Sequence, residues 1–192
     1  MPKRLPMNDY LKLFIEYEAD KFRFEALNKN NHLDRFSTCF KYSFAVPNQE
    51  ALNAIAKYSP LIELGAGSGF WAHLLQQQGV DIIPYDNFNW KEFKHHYTTI
   101  LEGSESTLLT QPTDKNLMLC WPDYDEPFAY NAAKNFRGKY LIYIGEGSGG
   151  CTGDEDFHKY LDSDFSVVET IKIPRWAGIR DRLYIYERRA NA

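Results

Sequence analysis

Residues 61 to 69, Leu61-Ile62-Glu63-Leu64-Gly65-Ala66-Gly67-Ser68-Gly69, constrain this chain more than any other stretch. An apolar run that reads as a buried strand passes straight into glycines at alternate positions. Phe70-Trp71-Ala72-His73-Leu74-Leu75 then opens a helix, with Phe70 and Leu74 one helical step apart and Trp71 and Leu75 beside them as a stripe that can pack on a sheet. Strand, tight turn and helix make the first βα unit of a doubly wound fold, in which ligands bind outside the carboxyl ends of the strands. The glycines leave the main chain open to close approach by a nucleotide-like ligand. Their spacing excludes two common fingerprints. G-x-G-x-x-G needs glycine where Phe70 stands, and a Walker A loop needs Lys-Ser or Lys-Thr after the glycines.

What remains is E-x-G-x-G-x-G, and a second feature joins it. Asp81-Ile82-Ile83-Pro84-Tyr85 reads as the next strand and ends at Asp86, close to the roughly 20-residue offset from the glycines expected of a ribose-binding carboxylate. In these two features, and in order and length from about Ser43 to Arg188, the chain resembles the class I S-adenosylmethionine-dependent methyltransferases. The resemblance implies an α/β fold, a Rossmann-like doubly wound seven-stranded mixed sheet whose last strand is antiparallel. It implies S-adenosylmethionine as cofactor, held by Glu63, Gly65, Ala66, Gly67, Gly69 and Asp86. It also places Gly103 and Ser104 beside the adenine, with Ser104 standing where the family usually has Asp.

The remaining elements follow from pattern. Asn8 or Asp9 can cap an amphipathic helix over about 9–27, ended by Asn28-Lys29-Asn30-Asn31, and an irregular aromatic segment runs from Phe36 to Phe44. Residues 1–45 thus form an N-terminal helical extension packed on the core, as a cover for the sheet or a lid on the substrate side. Residues 46–192 form the S-adenosylmethionine-binding unit. A short helix spans Pro47 to Lys57, and Tyr97 to Leu101 reads as the third strand. Asn116-Leu117-Met118-Leu119-Cys120 is a fourth strand buried on both faces, running into Trp121-Pro122-Asp123-Tyr124. Phe128 to Phe136 is helical and Lys139 to Ile144 is the fifth strand. A second glycine-rich loop, Gly145 to Gly153, is a phosphate cradle or a mobile surface connection. Thr152 and Glu155 have capping-box spacing, which makes Asp154-Glu155-Asp156 the acidic start of a helix. Phe165 to Ile173 and Arg182 to Glu187 alternate as a closing strand pair.

At 192 residues the chain suits one domain that buries roughly two-thirds of its extended surface. Cys39, Cys120 and Cys151 are odd in number and lack C-x-x-C spacing, which argues for a reducing compartment and against a disulfide framework or zinc site. His95-His96 has no metal-ligand spacing either, and no metal is expected. No apolar run is long enough to span a membrane and no signal-peptide core follows Met1-Pro2-Lys3-Arg4, so the expected location is cytoplasmic. The net charge of −4 makes nucleic acid an unlikely acceptor and leaves a small molecule or a protein.

The topology would bring the strand ends to one edge. Asp123 is the leading candidate for a base or hydrogen-bond acceptor, with Tyr124 beside it and Glu146 and His158 behind. Trp121 and Trp176 are walls for a flat or cationic group or core aromatics. Glu146 and Arg175 are further substrate candidates, Arg175 for an anionic group. The family's nitrogen-methylating members often carry Asn/Asp-Pro-Pro-aromatic at the fourth strand end. Here Trp121 comes first and Asp123 third. The expected activity is therefore methyl transfer to a small-molecule or protein acceptor. The alternatives are a protein that binds S-adenosylmethionine or its product without transferring a methyl and, against the glycine spacing, a nicotinamide oxidoreductase.

Overall fold

The computed structural model describes residues 7–24 and 34–190. The chain runs through α1 (Asp9–Phe24), α2 (Arg35–Lys41), α3 (Gln49–Ala56), β1 (Leu61–Leu64), α4 (Phe70–Gln77), β2 (Ile82–Asp86) and β3 (Leu101–Glu102). A 3-10 helix at Glu105–Thr110 precedes β4 (Asn116–Cys120), α5 (Phe128–Asn135), β5 (Tyr140–Gly145), α6 (Glu155–Asp164), β6 (Phe165–Lys172) and β7 (Arg182–Arg188). The expected helix end at Asn28 to Asn31 lies outside the described residues.

One seven-stranded sheet runs in the order β3-β2-β1-β4-β5-β7-β6, parallel except for β7, which is antiparallel to both neighbours. Strand order reverses between β2-β1 and β4, the switch point at which such sheets open a crevice. Alternation along the strands feeds two cores. Leu61, Met118, Ile142 and Ile144 face α1 to α4, while Ile62, Leu64, Leu117, Leu119 and Leu141 face α5, α6 and the 3-10 helix. Burial on both faces is why these strands read as continuous apolar runs. Among the described residues no helix is long and apolar enough to cross a membrane.

The amino-terminal helices enter the first core through aromatics. Tyr10 stacks on Tyr42 at 4.9 Å and receives the indole N–H of Trp176 at 3.0 Å, and Phe14 meets Trp176 edge-on at 5.2 Å.

Three local expectations are corrected. Phe36 to Phe44 is not wholly irregular: Asp34 caps α2 by accepting from Ser37 N–H, and the segment is helical to Lys41. Tyr97 to Ile100 is not a strand, because its side chains pack elsewhere. The Tyr97 ring lies 4.7 Å from Phe70, and Thr98 and Ile100 crowd Gly69 at the start of α4, leaving only Leu101 and Glu102 to pair with β2. The cap of α6 is Asp154, which accepts from Phe157 N–H, whereas the Thr152 hydroxyl is engaged with Tyr143 and the Glu146 amide. Asp154 to Asp156 do start that helix.

Candidate functional site

The loop after β1 is held on both sides by the main chain and by one carboxylate. Gly65 and Ala66 N–H donate to the Tyr85 carbonyl at 2.9 and 3.0 Å. Asp86, at the end of β2, accepts from Gly67 N–H at 2.8 Å through Oδ2 and from Phe88 N–H at 2.7 Å through Oδ1. The Ser68 hydroxyl donates to the Tyr42 carbonyl, tying the loop to the end of α2. Gly67 has φ +56°, and a Cβ there would stand 2.9 Å from the Phe93 ring. Any larger residue would be strained and would fill the space the loop borders.

A cavity of about 390 Å³ opens over this loop. Its lining includes Glu63 to Ser68, Asp86 and Gly103 from the first three strand ends, and Arg35, Trp121, Asp123, Tyr124 and Cys151 from α2, the β4 end and the loop after β5. Phe44 and Phe93 also line it, and Phe40 packs against both at 5.4 and 5.2 Å to make an aromatic cover contributed by α2 and the segment after β2.

Glu63 has the most unusual environment. It is 1% exposed, and its Oε2 has no hydrogen-bond partner among the described residues. Burial, then the charge of Asp86, push its carboxyl up to about 8, with the Ala72 amide in the first turn of α4 acting in the opposite direction. A buried carboxylate with a free oxygen at a cavity wall is a receptor for a cation that can donate a hydrogen bond.

The β4 end is built around Trp121. Its φ is +56°, a backbone region unfavourable for a bulky residue, and this turns the chain sharply into Pro122-Asp123. The indole is fixed in that conformation: Phe44 stacks on it at 4.9 Å and its N–H donates to both carboxylate oxygens of Asp181 at 2.9 Å. Burial holds the Asp181 carboxyl up at about 7 against the lowering effect of that indole. Asp123 reaches the cavity half-buried, and burial, then Asp125 and Glu126, raise its carboxyl above the usual range. Tyr124 stands at the mouth, 56% exposed.

Other candidates lie elsewhere. Trp176 is a core residue, not a cavity wall, held by Phe14 and Tyr10. Arg175 is exposed and outside the cavity lining. Glu146 is buried and employed within the second glycine-rich loop, where it accepts from Cys151 N–H at 2.8 Å, the Cys151 thiol at 3.0 Å and Arg180 N–H at 2.6 Å. Burial opposes its ionisation, but these donors outweigh it and hold the carboxyl below the usual range. That loop is therefore braced internally, as a loop with free ends would not be. His158 bonds the Thr152 carbonyl at 2.9 Å and faces the core. Ser104 caps the 3-10 helix and leaves Gly103 as the residue at the cavity.

The sequence reading missed Arg35, Phe44, Phe93 and Cys151 as cavity residues. The aromatic richness of Phe36 to Phe44 was a signal for Phe44. Nothing local marks the other three, since they arrive from separate elements.

No family model matches the sequence. No curated protein matches it either. Solved structures do match. Magnesium protoporphyrin IX methyltransferase from Synechocystis PCC 6803, with bound S-adenosylhomocysteine, has 12% identity and a TM-score of 0.52 over 95% of this chain and 100% of that one. The 1,6-didemethyltoxoflavin-N1-methyltransferase of Burkholderia thailandensis has 13% identity and a TM-score of 0.52 over 97% and 93%. A putative RNA methyltransferase from Pyrococcus horikoshii has 13% identity and a TM-score of 0.47 over 89% and 98%. The chain thus has the Rossmann-like fold of the class I S-adenosylmethionine-dependent methyltransferases. The expectation that nucleic acid is an unlikely acceptor is corrected: proteins described as RNA, tRNA and rRNA methyltransferases are among the matched solved structures.

Proposed function

We propose that this protein is an S-adenosylmethionine-dependent methyltransferase. The observation that carries the reading is Glu63, a buried carboxylate with an unpartnered oxygen on the wall shared by the glycine loop and Asp86. The fold accounts for a nucleoside, but only a ligand bearing an ammonium group as well as a nucleoside accounts for Glu63. S-adenosylmethionine has both, whereas NAD offers no ammonium. Bound there, the cofactor would supply an electrophilic methyl group on a sulfonium.

The protein's part is binding and placement. Each Asp86 oxygen already accepts one main-chain N–H and keeps a lone pair, so the pair can receive two ribose hydroxyls without releasing the loop. Gly103 lines the cavity where the adenine edge would lie. Glu63 takes the ammonium, which relieves its own desolvation. After the β4 end Asp123 serves as base or orienting acceptor for the group to be methylated, with Tyr124 beside it. Its carboxyl, raised above the usual range by burial, makes the carboxylate a stronger base than a solvated aspartate. The aromatic cover excludes water from the displacement.

Calorimetry with S-adenosylmethionine and NAD side by side tests the cofactor, with binding expected only for the first. Labelled S-adenosylmethionine offered to a cell extract then tests transfer, with label traced to small molecules, protein and nucleic acid. Tight binding with no labelled fraction would leave a non-catalytic binding protein. Failure of S-adenosylmethionine to bind would overturn the proposal.

A further inference from the structure

Arg35, the first residue of α2, lines the cavity, and two of its guanidinium nitrogens, Nε and Nη2, are buried and without a hydrogen-bond partner among the described residues. These two nitrogens form one edge of the guanidinium, the edge that receives the two oxygens of a carboxylate or phosphate side by side. Leaving buried donors unpaired is costly, and native structures seldom tolerate it without a reason. The Cys39 thiol, one turn along α2, is close enough to feel the guanidinium as a donor, but no hydrogen bond of normal geometry joins them, and a thiol is a weak acceptor. Asp181 feels the Arg35 charge, but both its oxygens face the Trp121 indole, and Arg35 makes no ion pair within 4.0 Å among the described residues.

The position of the guanidinium is fixed by rings. Its central carbon lies 5.5 Å from the Phe36 ring and 5.5 Å from the Trp121 ring. Aromatic faces hold a guanidinium plane without using its N–H groups, so the edge keeps its hydrogen-bonding capacity unspent. Phe36, Trp90 and Tyr124 surround the mouth and are 58%, 48% and 56% exposed, large apolar surfaces that a monomer normally covers unless they receive a flat partner.

We propose that Arg35 is the anchor of the acceptor site, and that the acceptor is a small flat aromatic molecule carrying a carboxylate or phosphate, gripped bidentately by the Arg35 edge while its ring lies among the aromatics at the mouth. This deepens the methyltransferase reading and rests on it. Arg35 and Asp123 then hold the acceptor in the cavity that Glu63 and Asp86 also line. The anion is recognised by Arg35, and the atom to be methylated is presented near Asp123.

The test uses the full chain and its Arg35→Met and Arg35→Lys variants. Calorimetry with S-adenosylhomocysteine reads the cofactor half, and label transfer from S-adenosylmethionine reads the acceptor half. The acceptor panel is hydroxybenzoates and indole carboxylates with their neutral primary amides, and nucleoside 5′-monophosphates with the matching nucleosides. All three proteins should bind S-adenosylhomocysteine within a factor of about two, because Arg35 makes no hydrogen bond or ion pair to Glu63, Asp86 or the glycine loop. The wild type should methylate anionic members and not their neutral counterparts. Arg35→Met should lower kcat/KM for the anion by about 100-fold, the scale of a lost bidentate charged contact, with Arg35→Lys recovering only part. Arg35→Met should also unfold at an equal or higher temperature, since it removes unpaired buried donors. Label on acids alone identifies the carboxylate, and label on monophosphates alone identifies the phosphate. Neutral members accepted as well as anionic ones, or transfer indifferent to Arg35→Met, would overturn the proposal. So would S-adenosylhomocysteine binding with no labelled panel member, an outcome that leaves the methyltransferase reading standing. Loss of S-adenosylhomocysteine and S-adenosylmethionine binding by the wild type would instead sink that reading.

Discussion

Replacing Glu63 by Gln separates the cost of its buried charge from everything else in the site. The unfolded chain ionises this carboxyl near 4.5, whereas burial and Asp86 push it up to about 8 in the folded protein. Between those values the folded chain holds a proton that the unfolded chain has lost, so stability falls as pH rises. Worked from the two values, the penalty is below about 1 kcal/mol at pH 5, about 3 kcal/mol at pH 7 and about 5 kcal/mol at pH 9. Gln cannot ionise and escapes it. Its amide brings a cost of its own of about 1 to 3 kcal/mol if an N–H is left unpaired, but that cost does not depend on pH. Asp181, also raised, is present in both proteins and subtracts out. Urea unfolding of ligand-free wild type and Glu63→Gln at pH 5, 7 and 9 should give a stability difference that moves in favour of Gln by about 4 kcal/mol across the series. A difference constant within about 1 kcal/mol would refute the argument that Glu63 is an uncompensated buried carboxylate. The functional corollary is a proton count: S-adenosylmethionine binding at pH 7 should release a proton from wild-type Glu63, read by calorimetry in buffers of different ionisation enthalpy, and Glu63→Gln should release none from that site.

Asp86→Ala removes the acceptor of two main-chain N–H groups as well as the proposed ribose contact, and should weaken S-adenosylmethionine binding by about 2 to 4 kcal/mol in a titration; unchanged affinity would dismiss Asp86 as a ligand residue. Gly67→Val places a branched side chain at φ +56° against Phe93 and should abolish binding with the circular dichroism spectrum retained. Asp123→Asn should leave cofactor affinity within a factor of about two and lower methyl transfer about 100-fold, and the acidic limb of the wild-type pH–rate profile should lie above the usual aspartate range because the carboxylate must be ionised to act as base. Trp176→Ala should destabilise the fold by about 3 to 5 kcal/mol by thermal or chemical unfolding, as a core aromatic does, with any loss of binding following the loss of folded protein.

The sheet and the glycine loop with Asp86 at the cavity were legible because both are written in local pattern. Strands buried on two faces must be nearly continuous apolar runs, as at β1, β4 and β5, and a tight turn with positive φ at Gly65, Gly67 and Gly69 must be spelled in glycine. Asp86 is found by its offset from that loop, since one strand, one turn and one helix separate them in any such unit. Local pattern failed where a residue had a stronger partner far away in sequence. Tyr97 to Ile100 has strand composition, but Phe70 and the start of α4 take its side chains before β2 can pair with them.

Which residues meet at the cavity beyond the glycine loop was decided only by tertiary structure. Trp121 and Trp176 look alike in sequence, yet Asp181 and Phe44 fix the first at the cavity, while Tyr10 and Phe14 draw the second into the core. Arg175 carries the same charge as Arg35 and stands nearer to other arginines, but only Arg35 is delivered to the cavity, by a helix from the other end of the chain. A strand end encodes its neighbours along the backbone. A wall assembled from α2, the β4 end and the loop after β5 is specified by how those elements pack, and no spacing within any one of them records the distances across the space they enclose.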